Sequence, residues 1–270
     1  MAKKSKQIKR MLSLYPRIMR QNFNALTGFH ADFVIMMVSS ALTQLLGIMF
    51  LWVVYQQIPE INGWSFWEIA FVYAMVYFTE GFASFFFEGC WSIGLLVNKG
   101  ELDRMLVRPV PPVFQILTSK IGINGAGNIV IGSIILVQSL WHVSIHWTPL
   151  KLLVTLLLLL SAVAIRGAIN FVSNSTAFWT HYPSSAVGFM VHSISDFAKY
   201  PIMIYSFALQ AFITVVIPYA FLSFFPAAYI FNKGFLGYIG LLSPVVALYC
   251  CGMAAFIFNR GLKLYESAGN

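Results

Sequence analysis

Residues that could carry chemistry are sparse in this sequence, and the densest group of them is KGELDRMLVRP, Lys99 to Pro109. Two acids and three bases stand there between two long apolar stretches. Gly100 can begin a helix and Pro109 would end it, while the acids fall in the first turn and the arginines near the last, where each sign favours the helix dipole. The predicted short helix comprises Gly100, Glu101, Leu102, Asp103, Arg104, Met105, Leu106 and Arg108.

This short helix would present an apolar stripe, because Leu102, Met105 and Leu106 are spaced i, i+3 and i+4. An apolar stripe flanked by charges suits a groove on another protein. The same pattern is also typical of a loop helix that lies in solvent or on a membrane surface. Spacing alone leaves both interpretations open.

Isolated charges also occur inside the apolar stretches. Glu80 stands about twelve residues into the second stretch, so at ~1.5 Å per residue it would lie near the middle of a bilayer. A carboxylate at that depth is costly unless it is neutral, paired or facing water. Glu80 is therefore interpreted either as part of a translocation path or as a buried structural group. Glu88 is predicted to be an interfacial anchor, and Arg166 to extend its side chain to the nearer membrane surface.

No metal or disulfide site is predicted. His142 and His146 have the i, i+4 spacing of a helical metal pair, but no acid or third ligand lies nearby, so they are interpreted as interfacial residues beside tryptophans. The three cysteines show no CxxC or Cys/His spacing and are interpreted as packing residues. Asp196 and Lys199 are interpreted as a pair at a membrane boundary.

The elements that must position these residues follow from composition. Hydrophobic residues make up 59% of the 270 residues and charged residues only 10%, too few polar groups to cover a soluble core of this size. The chain is therefore predicted to be an all-α membrane protein. Its net charge of +8 does not indicate nucleic-acid binding, because the bases are confined to gaps between apolar stretches.

Six apolar stretches are long enough to span a bilayer core of about 30 Å. They cover residues 33–56, 67–91, 114–140, 150–172, 199–222 and 236–258. No soluble domain fits in the gaps between them. We therefore expect a single transmembrane domain over residues 1–270, with a connecting helix in residues 1–30, the six spans in residues 33–258 and a cytoplasmic tail in residues 259–270.

An amphipathic helix is predicted before the first span. Apolar residues recur there at helical spacing from Ile8 to Leu26, and basic residues fall mostly on the other side. Such a helix lies in the headgroup plane with its bases facing anionic lipid. These bases are Lys9, Arg10, Arg17 and Arg20. Pro16 is expected to kink the helix or to begin its second half.

The lysines and arginines predict the orientation. Seven precede the first span, four lie in the 92–120 connection and two follow the last span, all on one side if there are six crossings. Only Lys151 and Lys233 fall on the other side. Both termini and the KGELDRMLVRP loop are therefore predicted to be cytoplasmic.

Before the last span, Pro218 and Pro226 stand among many aromatics, which predicts either re-entrant or interfacial helices or an aromatic belt.

Several longer passages resemble one known family, the ABC-2 permeases, in its branch of six-span subunits. The passages are GELDRMLVRPVPPVFQ, NFVSNSTAFWT, YPIMIYSFALQAFITVVIPYAFLSFFPA and GLKLYESAGN, and the resemblance covers nearly the whole chain. It implies the membrane subunit of an ABC transporter that usually exports, in a bacterial cell membrane. It also implies that the helix from Gly100 to Arg108 is a coupling helix, which sits in a cleft of an ATPase subunit.

The resemblance also implies partners. No GxxxxGK[ST] phosphate loop occurs in the sequence, so ATP and Mg are expected on two separate ATPase subunits, with no cofactor in this chain. A second permease, identical or related, is expected to complete the pathway. Two other functions stay open: a secondary transporter or channel with Glu80 as its ion-coupling site and, with less support from the scattered acids, a membrane enzyme that acts on lipids. Co-purification of an ATPase would separate a carrier or channel from an ABC permease.

Overall fold

The structure, a computed structural model, describes residues 13–24, 30–180 and 185–266. Within these ranges the regular elements are helical, apart from one isolated bridge between Ile61 and Trp64. The N-terminal helix α1 covers residues 13–24, and the long helices are α2 (His30–Gln57), α3 (Phe66–Phe87), α7 (Ile123–His142), α8 (Pro149–Ser175) and α14 (Ser243–Leu264). The shorter helices are α4 (Ile93–Asn98), α5 (Leu102–Leu106), α6 (Pro112–Leu117), α9 (Ala177–Thr180), α10 (Ala186–Ile194), α11 (Phe207–Ala211), α12 (Phe224–Ile230) and α13 (Phe235–Gly240).

Five helical segments of the described residues are long and apolar enough to cross a membrane. They are Val34–Gln57, Phe66–Asn98, Ile123–His142, Pro149–Thr180 and Phe235–Leu264. These segments overlap the first four predicted spans and the sixth, so the prediction of an all-α membrane protein is confirmed. The third segment begins later than predicted, because the backbone is extended at Gly122 and separates α6 from α7.

Helix α3 is the central helix of the bundle. It is buried without interruption from Glu68 to Val76, and it packs against α2, α7 and α8. Its closest neighbour is α7, because a Cβ on Gly81 would lie 2.7 Å from the Ile129 nitrogen and a Cβ on Gly125 would lie 2.7 Å from the Gly81 carbonyl oxygen. Small residues at such a contact let two membrane helices pack backbone against backbone, which is a main source of helix association in lipid.

The connecting segments lie at the two ends of this bundle. At one end, Asn22 of α1 donates a hydrogen bond to the Thr118 carbonyl at 2.9 Å, which brings α1 beside the segment between α6 and α7. We call this the basic end. At the opposite end, Lys233 pairs with Glu68 at 2.7 Å. The docking loop predicted at Lys99 to Pro109 lies at the basic end, since α5 packs against α6.

Helix α1 is amphipathic over the residues that the structure describes. Arg17 and Arg20 are exposed, whereas partly buried side chains recur on the other face. The partly buried side chains are Leu14, Tyr15, Ile18, Met19 and Asn22. Pro16 lies within the helix and does not end it. Lys9 and Arg10 fall outside the described residues, so their predicted contact with lipid stays a prediction.

The fifth predicted span, residues 199–222, is not one continuous helix. The described residues contain a sixth span only if a bent pair of helices in this region counts as one. Pro201 and Pro218 lack the backbone N–H that a continuing helix requires. Two helical stretches, Phe207–Val216 and Tyr219–Ile230, follow one another at a bend of 74°.

The chain instead begins to follow α3 near residue 185. Ser185 Oγ donates to the Trp91 carbonyl at 3.0 Å, close to the basic end, and Lys199 lies 4.7 Å from an α3 tyrosine ring further along that helix. After the 74° bend, Tyr219 lies against Arg166 in the middle of α8. These two helical stretches, which we call the bent stretch, therefore return to the middle of the bundle. This course favours the re-entrant interpretation over an aromatic belt.

One methyl group added at the α3–α7 contact should destabilise the protein. We expect Gly125→Ala to lower the unfolding temperature, because its Cβ would meet backbone atoms of Gly81 and Phe85 at 2.7 and 2.8 Å. Overpacking of this kind typically costs about 1–3 kcal/mol. Gly252→Ala is the matched control, since a Cβ there meets nothing within 4 Å. Thermal unfolding in detergent compares the two, and equal unfolding temperatures would refute the close contact.

Candidate functional site

The predicted short charged helix is present as α5, which covers Leu102–Leu106 inside the predicted range of residues 100–108. Gly100 precedes it with a positive φ of 67°, a conformation that favours glycine and turns the chain after α4. The Asp103 N–H donates to the Gly100 carbonyl at 3.3 Å and closes this turn. The turn therefore determines the direction in which α5 leaves α4.

The apolar stripe of α5 is divided between the interior and the surface. Leu102 is 1% exposed and belongs to the core of the protein itself, so the prediction that it enters a partner's cleft was wrong. Met105 is partly buried against the same core. Leu106 and the following Val107 are 44% and 85% exposed. An apolar contact with a partner would therefore involve Leu106 and Val107.

Exposed charges surround these two apolar residues. We call this surface the docking tip, and it consists of Glu101, Arg104, Leu106, Val107 and Arg108. Asp103, the other acid of the predicted helix, is partly buried on the inner side. The docking tip thus combines an apolar centre with a charged rim, the usual composition of a protein-binding surface.

Gln115 of α6 holds the docking tip in place. Its side-chain amide donates to the Met105 carbonyl and to the Val110 carbonyl, both at 2.8 Å. The Met105 carbonyl belongs to the last turn of α5, where carbonyls lack partners within the helix. Gln115 therefore holds the chain both before and after the exposed residues Leu106 and Val107.

Helix α6 in turn contacts α1 and the end of α3. The Tyr15 ring of α1 lies 6.3 Å from the Phe114 ring, next to the Asn22 hydrogen bond described above. On the α3 side, a Cβ on Gly89 would lie 1.8 Å from the Ile116 carbonyl oxygen, so the two backbones are in direct contact. The docking tip, α6, α1 and the end of α3 form one packed unit.

The end of α14 belongs to this unit as well. Burial and the neighbouring Asp103 carboxylate raise the pKa of Tyr265, which directly follows α14. The Tyr265 ring lies 6.3 Å from the Phe178 ring, and a Cβ on Gly261 would lie 2.3 Å from the same phenylalanine. The predicted tail of residues 259–270 therefore begins as packed helix.

A buried ion pair lies in the middle of the bundle. Arg166 of α8 is 1% exposed; its Nε donates to Glu80 of α3 at 2.5 Å, and its Nη2 contacts the same carboxylate. His192 of α10 lies beside both, with Nδ1 3.7 Å from Glu80 Oε2 and 3.5 Å from Arg166 Nη2. The prediction that Arg166 extends to the membrane surface was wrong, because Glu80 supplies a partner at the same depth.

This pairing favours the structural interpretation of Glu80. The carboxylate is matched by a cation, which is one of the conditions under which an acid is tolerated inside a membrane. The Tyr219 ring of the bent stretch lies 5.4 Å from the Arg166 guanidinium and covers the pair. Glu80 and Arg166 thus join α3, α8, α10 and the bent stretch. Glu80 already has a cationic partner, so it is not the unpaired carboxylate that an ion-coupling site would require.

At the opposite end, aromatic and charged residues connect the loops. His142 stacks on Trp67 with ring centroids 3.9 Å apart. Helix α7 ends at His142, so His146 does not share a helical face with it and their spacing forms no helical metal pair. Among the described residues, no group of three His, Cys, Asp or Glu side chains could hold a metal ion.

Two smaller predictions concern packing. Asp196 and Lys199 form the predicted ion pair, at 2.7 Å. Cys90 and Cys250 are buried free cysteines, as expected of packing residues, whereas Cys251 is exposed on α14.

A polar cavity of about 780 Å³ lies between α1, α2, α3 and α7. Asn22 and Lys120 line it at the basic end, and Tyr77 lines it deeper in the bundle. Glu88, predicted as an interfacial anchor, also lines the cavity and accepts a hydrogen bond from Ser84 Oγ at 2.6 Å. Further polar lining comes from α2 and α7, namely Ser39, Ser40, Thr43, Asn124 and Asn128.

The fold defines a class of protein, a helical membrane protein whose basic end carries exposed apolar residues surrounded by charges. Residues 41–269 match the family model described as ABC-2 family transporter protein. The match covers most of the chain, so the chain belongs to this family. It is a permease component of an ABC-type transporter, a membrane subunit that is not itself an ATPase, and permeases of this family generally work with an ATPase subunit. No curated protein and no solved structure matches the chain.

Sequence reasoning missed several residues that the structure brings to these sites. Gln115, His192 and Tyr265 act on partners in other elements, and no local pattern announces such contacts. Asn124 and Asn128 did carry a signal, because amide side chains inside a membrane helix require polar partners.

Removing one member of the buried ion pair should destabilise the protein more than neutralising both. We expect Arg166→Gln to cost about 3–5 kcal/mol, since Glu80 would remain buried without a partner. Glu80→Gln combined with Arg166→Gln should recover much of that loss. Asp196→Asn, in an ion pair whose acid is 68% exposed, is the control and should cost about 0–1 kcal/mol. Thermal unfolding in detergent gives the comparison. A double variant no more stable than Arg166→Gln would contradict the pairing.

Proposed function

We propose that this chain is the permease subunit of an ATP-driven exporter. Two separate ATPase subunits bind ATP and Mg, and this chain forms the membrane pathway together with a second permease, identical or related. The chain itself holds no cofactor and binds no nucleic acid. Family membership supports an ATPase partner, and the resemblance of the motifs to exporting permeases supports the direction.

The observation that carries this proposal is the exposure of the docking tip. Leu106 and Val107 are apolar, exposed and surrounded by charge, although the neighbouring Leu102 is buried in the core. Apolar side chains at the centre of an interface usually supply most of the binding energy. Charges at the rim set orientation and specificity more than affinity. The ATPase is therefore expected to enclose Leu106 and Val107 and to meet Glu101, Arg104 and Arg108 at its rim.

We place the basic end in the cytoplasm of a bacterial cell, with the chain in the inner membrane and both termini cytoplasmic. The excess of lysine and arginine at this end supports that orientation. At the opposite end, Lys233 is paired with Glu68, and Lys151 donates to Asn232 at 3.0 Å. The ATPase and its ATP are on the cytoplasmic side as well, so the docking tip faces its partner.

The proposed mechanism is mechanical. Closure of the ATPase subunits on ATP displaces the docking tip, and Gln115 passes the displacement to α6. Helix α6 contacts both α1 and the end of α3, so the displacement reaches the membrane surface and the central helix together. The two permease halves then change the side to which their shared pathway opens. Lys9, Arg10, Arg17 and Arg20 hold α1 at the anionic surface while it acts as a lever.

The buried ion pair argues against the alternative of an ion-coupled carrier or channel. Such a carrier needs a carboxylate that exchanges its partner for the coupling ion. Glu80 already has Arg166 as a partner within hydrogen-bonding distance, and His192 lies beside them. We therefore favour the ABC exporter and assign Glu80 a structural role.

Shortening the two exposed apolar residues should separate the permease from its ATPase. We expect Leu106→Ala/Val107→Ala to lower recovery of the co-expressed ATPase by roughly tenfold or more, the loss typical of central interface residues. The amount of permease in the membrane should not change, because neither side chain is in the core. Co-purification from membranes and transport by the reconstituted complex are the measurements.

Two further variants serve as controls. Leu264→Ala changes another exposed apolar residue at the basic end, 55% exposed, and should leave ATPase recovery unchanged. Leu102→Ala should lower the stability of the permease itself by about 2–5 kcal/mol, because Leu102 is buried. Normal ATPase recovery and normal transport with Leu106→Ala/Val107→Ala would refute the docking assignment.

A further inference from the structure

The polar cavity between α1, α2, α3 and α7 has no part in the function proposed above. Its volume of about 780 Å³ lies within the range of roughly 300–1,000 Å³ typical of ligand sites. Polar side chains inside a membrane bundle are costly unless they bind water, one another or a polar ligand. The charges and hydrogen-bonding groups of the cavity indicate which ligand it suits.

Both signs of charge line the cavity toward the basic end. Lys120 is exposed and forms no ion pair with any residue that the structure describes. Glu88 uses one carboxylate oxygen to accept the Ser84 hydroxyl, and its other oxygen has no hydrogen-bond partner among the described residues. The cavity therefore offers an anion and a cation that attract each other but form no salt bridge within the described residues. A ligand that carries a cation and an anion of its own would match both.

Neutral hydrogen-bonding groups continue the lining from these charges toward the middle of the bundle. Asn128 Oδ1 accepts from Gln44 Nε2 at 3.1 Å. Asn124 Oδ1 lies 3.1 Å from Ser84 Oγ, whose single proton is donated to Glu88. Within the described part of the chain, the amide nitrogens of both asparagines have no acceptor. They can donate to oxygen atoms of a bound ligand.

The outer face of α2 beside this cavity is apolar. Ser39 and Thr43 line the cavity, whereas the adjoining apolar residues Val38 and Leu42 are 50% and 55% exposed on the surface of the bundle. A polar wall and an apolar outer face therefore meet on one helix. Asn22 of the amphipathic α1 lines the cavity at the basic end, where the surface of the membrane would lie.

We propose that this cavity binds the headgroup of a phospholipid that carries a primary ammonium group and a phosphate, such as phosphatidylethanolamine. Lys120 contacts the phosphate and Glu88 contacts the ammonium group. Asn124 and Asn128 donate to the remaining oxygens, and the acyl chains lie along the apolar face of α2. Free phosphate would leave Glu88 without a cation, and an anionic lipid would do the same. The inference concerns this chain alone and does not depend on an ATPase.

Lipid retention by the full chain tests the proposal. The protein is purified into nanodiscs made of equal amounts of phosphatidylethanolamine and phosphatidylglycerol, then released for native mass spectrometry of the lipid that stays bound. Wild-type protein should retain phosphatidylethanolamine in preference. Glu88→Gln should reduce that preference by roughly tenfold, equivalent to about 1.4 kcal/mol, and Lys120→Gln should lower retention of both lipids. Ser39→Trp should expel both lipids by filling the cavity without a change in charge.

The matched control is Glu266→Gln combined with Lys263→Gln, which removes one exposed acid and one exposed base at the same end but outside the cavity. It should retain lipid as the wild type does. The proposal is overturned if wild-type protein retains no lipid or retains both lipids equally. It is also overturned if Ser39→Trp, still monodisperse on size exclusion, keeps its phosphatidylethanolamine.

Discussion

A charged group inside a membrane must find a partner at its own depth, and the ion pair of Glu80 and Arg166 meets that requirement for this bundle. Neither residue could be placed alone, because the cost of an unpaired buried charge is a large part of the total stability of a protein. The pair connects α3 to α8, and His192 brings α10 to the same point. Tyr219 then covers the guanidinium, so the bent stretch before the last span can reach the middle of the bundle.

Glycines in α3 and in the 3₁₀ turn that follows it, Glu88–Ser92, complete the central arrangement by allowing close approach. Gly81 lets α7 pack backbone against backbone, and Gly89 does the same for α6 near the basic end. A displacement of α6 would therefore meet this segment through backbone contact rather than through flexible side chains. This rigidity gives the docking tip a mechanical connection to the helix at the centre of the bundle, which a transporter driven by a separate ATPase requires.

The cavity beside α2 shows a different use of polar groups in the same bundle. The opposite charges of the central ion pair are matched within the protein, although Arg166 Nη1 has no hydrogen-bond partner among the described residues. Glu88 and Lys120 in the cavity form no salt bridge with each other. Groups that are satisfied within the protein stabilise the fold, and groups that are left to face a cavity can bind something else. The protein thus separates a structural polar cluster in the middle of the bundle from a candidate ligand site near the basic end.

The sequence by itself determined the membrane class, five of the six predicted spans and the position of the short charged helix, because hydropathy and charge are properties of local segments. It also predicted the amphipathic face of α1, since helical spacing decides which residues share a face. Only the tertiary structure decided which face meets which neighbour: it buried Leu102, exposed Leu106 and paired Arg166 with Glu80. The 74° bend between Val216 and Tyr219 and the polar cavity were likewise decided by packing between elements distant in sequence, and a local pattern carries no information about such packing.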